Sequence, residues 1–305
     1  MNTWLLLIVF LTSLICTPLA IKFARKSNIM DKADNDPLKI HKVSTPRFGG
    51  AAIILAIIIG IIVYNFILPE IRFQISQVAG IIIGGAIIFF TGLYDDVKKL
   101  KPLTRLILHL LSGLIIVLAG INFLLIPVAL IGAVIAILII AYSVNALNMI
   151  DGMDGLCAGL SIVSSVGFLL IGIQNANILL TVVAGFLLAS LLGFLPYNFH
   201  VAKIFLGDAG SGLIGFLTGL MIIISIRPNS LFDLLAVILI AGIPIIDMTV
   251  VMIRRKLNRK PLMAGDRTHI YDQLLLKGLS QRKIWFILII IQIVLTFGGV
   301  MIYKI

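Results

Sequence analysis

Apolar stretches recur from one end of this chain to the other, with short polar breaks between them; Ala51–Tyr64 and Ile131–Ala141 contain little else. A helix needs about 20 apolar residues to cross the hydrocarbon core of a bilayer. Runs of that kind predict ten spans, at 2–21, 49–68, 75–93, 104–121, 123–142, 156–173, 177–195, 209–226, 231–253 and 284–303. Only Gly120–Asn122 separates the fourth from the fifth before Pro127. The first run has no basic residue ahead of it and no small-residue cleavage site behind it, so it is expected to be a retained span.

Composition agrees with the pattern. The chain is 60% hydrophobic and 12% charged, with a mean hydropathy of +1.17, against about 25% charged residues in a soluble domain. That excludes a soluble enzyme, and the abundance of apolar surface excludes a disordered chain. The expected fold class is an all-α polytopic membrane protein, one integral membrane domain over residues 1–305. The two cysteines, Cys16 and Cys157, fall in or beside spans and offer neither a disulfide framework nor a CxxC metal site.

Charge sets an orientation. Lys and Arg number 24 against 13 Asp and Glu, and on a membrane protein this excess reports topology, with no nucleic-acid partner expected. Ten spans put both termini on one side. The loops 22–48, 94–103, 143–155, 196–208 and 254–283, with Arg105 at their edge, hold every basic residue except Arg72, Arg227 and Lys304. The positive-inside rule places those loops in the cytoplasm and both termini outside the cell membrane. Most acids gather there too: Asp31, Asp34, Asp36, Asp95, Asp96, Asp151, Asp154, Asp208, Asp266 and Asp272, while Glu70 and Asp233 lie outside and Asp247 within a span. A basic loop needs no carboxylates, so a cation-assisted anion site on the cytoplasmic face is one reason for them.

Five constellations lie on that face. Tyr94-Asp95-Asp96-Val97-Lys98-Lys99 ends the third span; adjacent acids at a helix C-terminus oppose the dipole and each other. They are either a base or metal-assisting pair facing a phosphate, or a solvated cap neutralised by lysines. Asn145, Asn148, Asp151 and Asp154 recur at intervals of three in a loop without Lys or Arg, which puts four oxygen ligands on one helical face. Gly207-Asp208-Ala209-Gly210 opens the eighth span, as a helix N-cap or as part of a hard-oxygen site. Asp266-Arg267-Thr268-His269 precedes a short amphipathic segment, Ile270–Lys277; Arg and His together suit a phosphate. Pro46-Arg47-Phe48-Gly49-Gly50, after Lys39, His41 and Lys42, turns sharply into the second span. His109 and Asp247 read as polar packing contacts within spans, and His200 carries no reading.

Together these motifs resemble the polyprenyl-phosphate N-acetylhexosamine-1-phosphate transferases. Pro46-Arg47-Phe-Gly49-Gly50, Asp95-Asp96, Asn145-x-x-Asn148-x-x-Asp151-Gly-x-Asp154-Gly-Leu, Pro196-Tyr-Asn198…Leu206-Gly207-Asp208 and Arg267-Thr-His269 match in order over nearly the whole chain. The resemblance implies transfer of N-acetylhexosamine-1-phosphate from a UDP-sugar to polyprenyl phosphate such as undecaprenyl phosphate, with release of UMP. It implies Mg²⁺, which Mn²⁺ could replace, held by Asp208 with Asn148 as companion. Asp95 would deprotonate or position the lipid phosphate with support from Asp96. Asn145, Asp151, Asp154 and Asn198 would contact substrate, the last two at the nucleotide. Arg47 would contact a phosphate, although by itself it reads first as a positive-inside charge; Arg105, about three helical turns past the acidic pair, would reach a phosphate as well. Arg267 and His269 would cover the pyrophosphate and sugar. Relatives often continue as His-x-His-His, where this chain has Tyr271 and Asp272; UDP-GlcNAc is the donor expected, and the muramoyl-pentapeptide branch is not. A homodimer is left open. The competing classes are a secondary transporter or channel, against which stand the absence of an internal repeat and the one-sided acids, and a non-catalytic scaffold.

Overall fold

Helices form at all ten predicted positions, and the apolar runs set where. The computed structural model describes residues 3–31, 43–67, 73–125, 128–228, 230–261 and 267–303. Asp34, Asp36, Lys39, His41, Lys42, Glu70, Arg72, Pro127, Asp266 and Lys304 lie outside these residues. In chain order the helices are α1 (Thr3–Lys26), α2 (Gly49–Ile67), α3 (Ile75–Lys98), α4 (Pro102–Leu118), α5 (Ala129–Ile150), α6 (Leu156–Gln174), α7 (Ile178–Asn198), α8 (Gly207–Ser225), α9 (Leu231–Ala241), α10 (Ile243–Leu257), α11 (Ile270–Leu276) and α12 (Gln281–Tyr303). A small antiparallel ribbon joins β1 (Met30–Asp31) to β2 (Thr45–Pro46).

The ten positions are not ten equal spans. Among the described residues eight helices, α1, α2, α3, α5, α6, α7, α8 and α12, are long and apolar enough to cross a bilayer. The fourth, α4, is a shorter apolar helix of 17 residues. The ninth is not one straight span: α9 and α10 meet at an angle of 93°. Gly242 makes the break at φ 62° and ψ −135°, a conformation that glycine accepts and other residues resist. Pro244 then starts α10 without needing a backbone donor. The polar groups freed by the bend are met by Gln292 of α12, which accepts from the Ile243 N–H at 2.8 Å and donates to the Ile240 carbonyl at 2.9 Å. Inside a bilayer that compensation is required, since no water is available to serve instead.

Loop boundaries shift as well. The helix predicted to end at 142 continues to Ile150, so Asn145 and Asn148 are helical residues. Only 99–101 separate α3 from α4.

α8 is the buried axis of the bundle, packed by α2, α3, α5, α6, α7 and α9. The outer helices turn Leu7, Leu11 and Ile15 of α1 and Ile290, Val294 and Phe297 of α12 outward, an apolar face suited to lipid. The N-terminus of α8 and the C-termini of α3 and α5 meet at one end of the bundle, which carries the polar motifs.

Candidate active site

Three carboxylates and two guanidinium groups converge where those helix ends meet. Arg47 enters from the segment ahead of α2, which is laid against the α7–α8 connection: the Phe205 N–H donates to the Pro46 carbonyl at 2.8 Å and the Gly49 N–H to the Phe205 carbonyl at 2.9 Å. Its Nη2 donates to Asp208 Oδ1 at 2.7 Å and its Nε lies 2.9 Å from Asp96 Oδ1. Burial alone would weaken the Arg47 charge, but Asp208 and Asp96, then Asp31 and Asp151, raise its pKa above the ordinary arginine value. It is a fixed cation.

Asp96 also closes α8. The N–H groups of Asp208 and Ala209 donate to its Oδ1 and Oδ2 at 2.9 and 3.2 Å, meeting two donors that a helix start leaves free. Asp208 is therefore a first-turn residue and not the N-cap. Gly207, at φ 73°, makes the turn, and a side chain there would meet the Asp96 carboxylate. Gly92 of α3 lets that helix approach Asp208, whose backbone a larger residue would strike.

Arg105 balances Arg47 from the other side. It donates to Asp95 Oδ2 at 3.1 Å and to Asn148 Oδ1 at 2.9 Å, and stands 3.8 Å from Asp208 Oδ2. Asn148 donates to Asp208 Oδ1 at 3.0 Å and to Ser211 Oγ at 3.1 Å. The Leu100 N–H holds Asp95 from below, and the carboxyl groups of Asp95 and Asp208 adjoin.

Among the described residues no three His, Cys, Asp or Glu side chains form a ready metal cage. Asp95, Asp208, Asn148 and Arg105 instead line a cavity of about 10 Å³, close to the least that admits one water-sized sphere. The donor set still fits Mg²⁺. That ion takes hard oxygen ligands and is commonly held by one or two carboxylates, waters and substrate phosphates.

The remaining predicted residues surround the cluster without all touching it. Asn145 donates to the Ala141 carbonyl at 2.7 Å and pairs with His109 Nδ1 at 3.1 Å, inside the bundle. Asp151 caps α5; part of its surface stays open, yet the surrounding protein pushes its pKa well above the ordinary carboxylate value, with Arg47 opposing. Asp154 bridges to the next motif, accepting from the Ala202 N–H at 3.1 Å and pairing with His200 Nδ1 at 3.0 Å. Asn198 is buried and donates to the Ile204 carbonyl at 2.9 Å, which shapes the turn before Asp208.

The final motif folds back over this loop. Tyr271 is buried against Gly152, where any side chain would collide with its hydroxyl. His269 stacks on Tyr271 with centroids 6.0 Å apart and pairs with Asp247. Arg267 begins the turn, its carbonyl accepting from Gln273 Nε2 at 2.7 Å. Tyr271 and Asp272 are thus packed inward; burial, aided by Asp247 and opposed by His269 and Arg267, raises the Asp272 pKa.

Ser211, Gly92 and the pairing of His200 with Asp154 carry no sequence signal. Nothing in their residue types marks them in a membrane helix or basic loop.

Buried carboxylates interleaved with fixed arginines at one end of a helical bundle have the chemistry to hold a cation and a phosphate together. The profile of glycosyl transferase family 4 matches residues 78–226, from α3 to the end of α8. The chain is 31% identical over 300 residues to the probable undecaprenyl-phosphate N-acetylglucosaminyl 1-phosphate transferase of Bacillus subtilis, covering 95% of this chain and 82% of that protein. It is 29% identical over 294 residues to the decaprenyl-phosphate N-acetylglucosaminephosphotransferase of Mycobacterium tuberculosis, covering 85% of this chain and 72% of that protein. The undecaprenyl-phosphate alpha-N-acetylglucosaminyl 1-phosphate transferase of Yersinia pestis is 26% identical over 313 residues, covering 97% of this chain and 82% of that protein. The chain belongs to glycosyl transferase family 4.

Proposed function

We propose that this chain transfers GlcNAc-1-phosphate from UDP-GlcNAc to a polyprenyl phosphate, the step that starts assembly of an envelope glycan. An oxygen of the lipid phosphate attacks the β-phosphorus of the donor. The bond from that phosphorus to the oxygen bridging the two phosphates breaks, and UMP leaves with that oxygen. The observation that carries the reading is the set of Asp95, Asp96 and Asp208 interleaved with Arg47 and Arg105.

Charge explains why such a set needs a cation. Three carboxyl groups share two guanidinium groups, so the cluster has no surplus positive charge to offset a pyrophosphate. A Mg²⁺ ion held by Asp208 and Asn148, for which Mn²⁺ could substitute, supplies the missing positive charge when bound. Arg47 and Arg105 can each turn part of their fork toward a phosphate, since each already holds a carboxylate with another nitrogen. Asp95, braced by the Leu100 N–H and Arg105, positions the lipid phosphate and takes its proton where it carries one. Asp96 fixes the α8 N-terminus, so that its backbone and Asp208 stay in register with the donor. Asp151, Asp154, Asn198, Arg267 and His269 form the nucleotide-sugar side.

The site faces the cytoplasm in this reading, with both termini outside. Purified protein given UDP-GlcNAc and undecaprenyl phosphate should release UMP only when Mg²⁺ or Mn²⁺ is present. UMP release without lipid, or none with both substrates and metal, would overturn it.

A further inference from the structure

Asp247 is a carboxylate in the second turn of α10, within an apolar helix where an ionisable group requires partners. Its two oxygens have separate ones. Oδ1 accepts from the Ile270 N–H at 2.9 Å, and Oδ2 pairs with His269 Nδ1 at 2.6 Å. Both side chains, Asp247 and His269, are buried. Ile270 is the first residue of α11, and the side chain of its N-cap, His269, makes no capping bond. Asp247 therefore caps α11 from another helix and holds the imidazole with the same carboxyl group.

The bend makes this possible. The 93° turn at Gly242 redirects α10, and Arg254 of the same helix donates to the Thr268 carbonyl at 3.2 Å. One helix thus grips three consecutive residues, Thr268, His269 and Ile270. On the other side of the turn, Tyr271 stacks on His269 and presses on Gly152.

The geometry points to Asp247 as a positioning residue for donor binding, setting the His269 tautomer so that Nδ1 carries the proton and Nε2 is offered to the nucleotide-sugar. This rests on the proposed function, in which His269 faces the donor. A carboxylate accepts at both oxygens, so Nδ1 must donate. An amide in its place cannot serve both partners in that way: with its oxygen on the Ile270 N–H, its NH₂ meets Nδ1 and moves the imidazole proton to Nε2. The Asp247→Asn variant keeps the shape and reverses the tautomer.

The test uses the full chain. Nitrogen-15 histidine spectra of wild type, with His269→Gln to identify the signal, should show His269 protonated at Nδ1; Asp247→Asn should move that proton to Nε2. In UMP-release kinetics, Asp247→Asn should raise KM for UDP-GlcNAc by roughly 10-fold or more, the scale of losses when a group orienting a ligand is removed. KM for undecaprenyl phosphate should stay within about twofold, as for a residue acting on the donor side alone. In a His269→Ala background, Asp247→Asn should add less than about twofold, because a residue that acts through another has no effect once that partner is gone. An unprotonated Nδ1 in wild type overturns the proposal, even if Asp247→Asn does not fold. Equal losses in both backgrounds, or equal losses for both substrates, overturn it as well and leave Asp247 a packing contact. Should wild type consume no UDP-sugar, the proposed function fails, while the tautomer still decides the Asp247–His269 pairing.

Discussion

Asp208 and Asp96 touch the same arginine, yet their removal should have opposite balances of effect. Asp208 faces the cavity, and its loss takes one acceptor from Arg47 and one from Asn148, each of which keeps another partner, Asp96 and Ser211. Asp208→Ala should therefore fold with a near-normal melting temperature and lose on the order of 10²–10⁴ in rate, the range for a missing acid–base or positioning group; Asp95→Asn should match it. Asp96→Ala strips two N–H groups at the start of α8 of their acceptor and Arg47 of one carboxylate. It should cost stability as well, about 1–3 kcal/mol for buried donors left unpaired. Thermal melts beside UMP release separate the two, and a well-folded Asp208→Ala with near-normal turnover would remove Asp208 from the site. Asp151 offers a pH test. Burial raises its folded-state pKa, so the stability contributed by its protonated form is present below the unfolded value and is lost as pH rises through the folded one. Asp151→Asn should raise Tm near neutrality and above, and the gain should fade toward the ordinary carboxylate range of about pH 4; a gain independent of pH would contradict the burial argument. Asp95, Asn148 and Asp208 are legible in the sequence because a polar residue at the edge of an apolar run needs a reason to be there. The role of Asp96, closing a helix 112 residues further on, leaves no local trace.

At the scale of elements, helix type and order are legible because hydrophobicity alone sets them in a membrane chain. Straightness is not. The window 231–253 is as apolar as a continuous span, and its average says nothing of a bend that depends on Gln292 of another helix. Likewise hydropathy ends α5 too early, because Asn145 and Asn148 lower it while their side chains bond within the bundle and the helix runs on. The break gives its own prediction. Gln292 serves both backbone groups at the bend, and its second amide N–H lies between Ser164 Oγ and Thr296 Oγ1, each 3.2 Å from the nitrogen. Gln292→Leu should lower stability by about 1–3 kcal/mol for each buried group left unpaired. It should also weaken donor use, since α10 carries Asp247. Melting in detergent with KM for UDP-GlcNAc checks this, and an unchanged Tm would show that the bend holds itself.

Across the described residues, the acids of the site and nearly all the basic residues share one end, the end that meets a nucleotide-sugar in the proposed function. The carboxylates alone would repel such a donor; Arg47 and Arg105, in direct contact with them, offset them, whereas exposed lysines more than a Debye length away, about 8 Å at physiological salt, are largely screened. Basic residues also resist translocation, so the charge that attracts the substrate fixes the side on which the site is built. The α6–α7 turn at Ala176 and the α11–α12 turn at Ser280 are exposed at opposite ends of the bundle. With Cys16→Ser and Cys157→Ala in place, a membrane-impermeant thiol reagent added to intact cells should label Ala176→Cys and spare Ser280→Cys; permeabilised cells should label both. Labelling of Ser280→Cys from outside, with Ala176→Cys protected, would invert the topology. The acidic face would then be cut off from cytoplasmic nucleotide-sugars, and the proposed transfer could not occur where its donor is found.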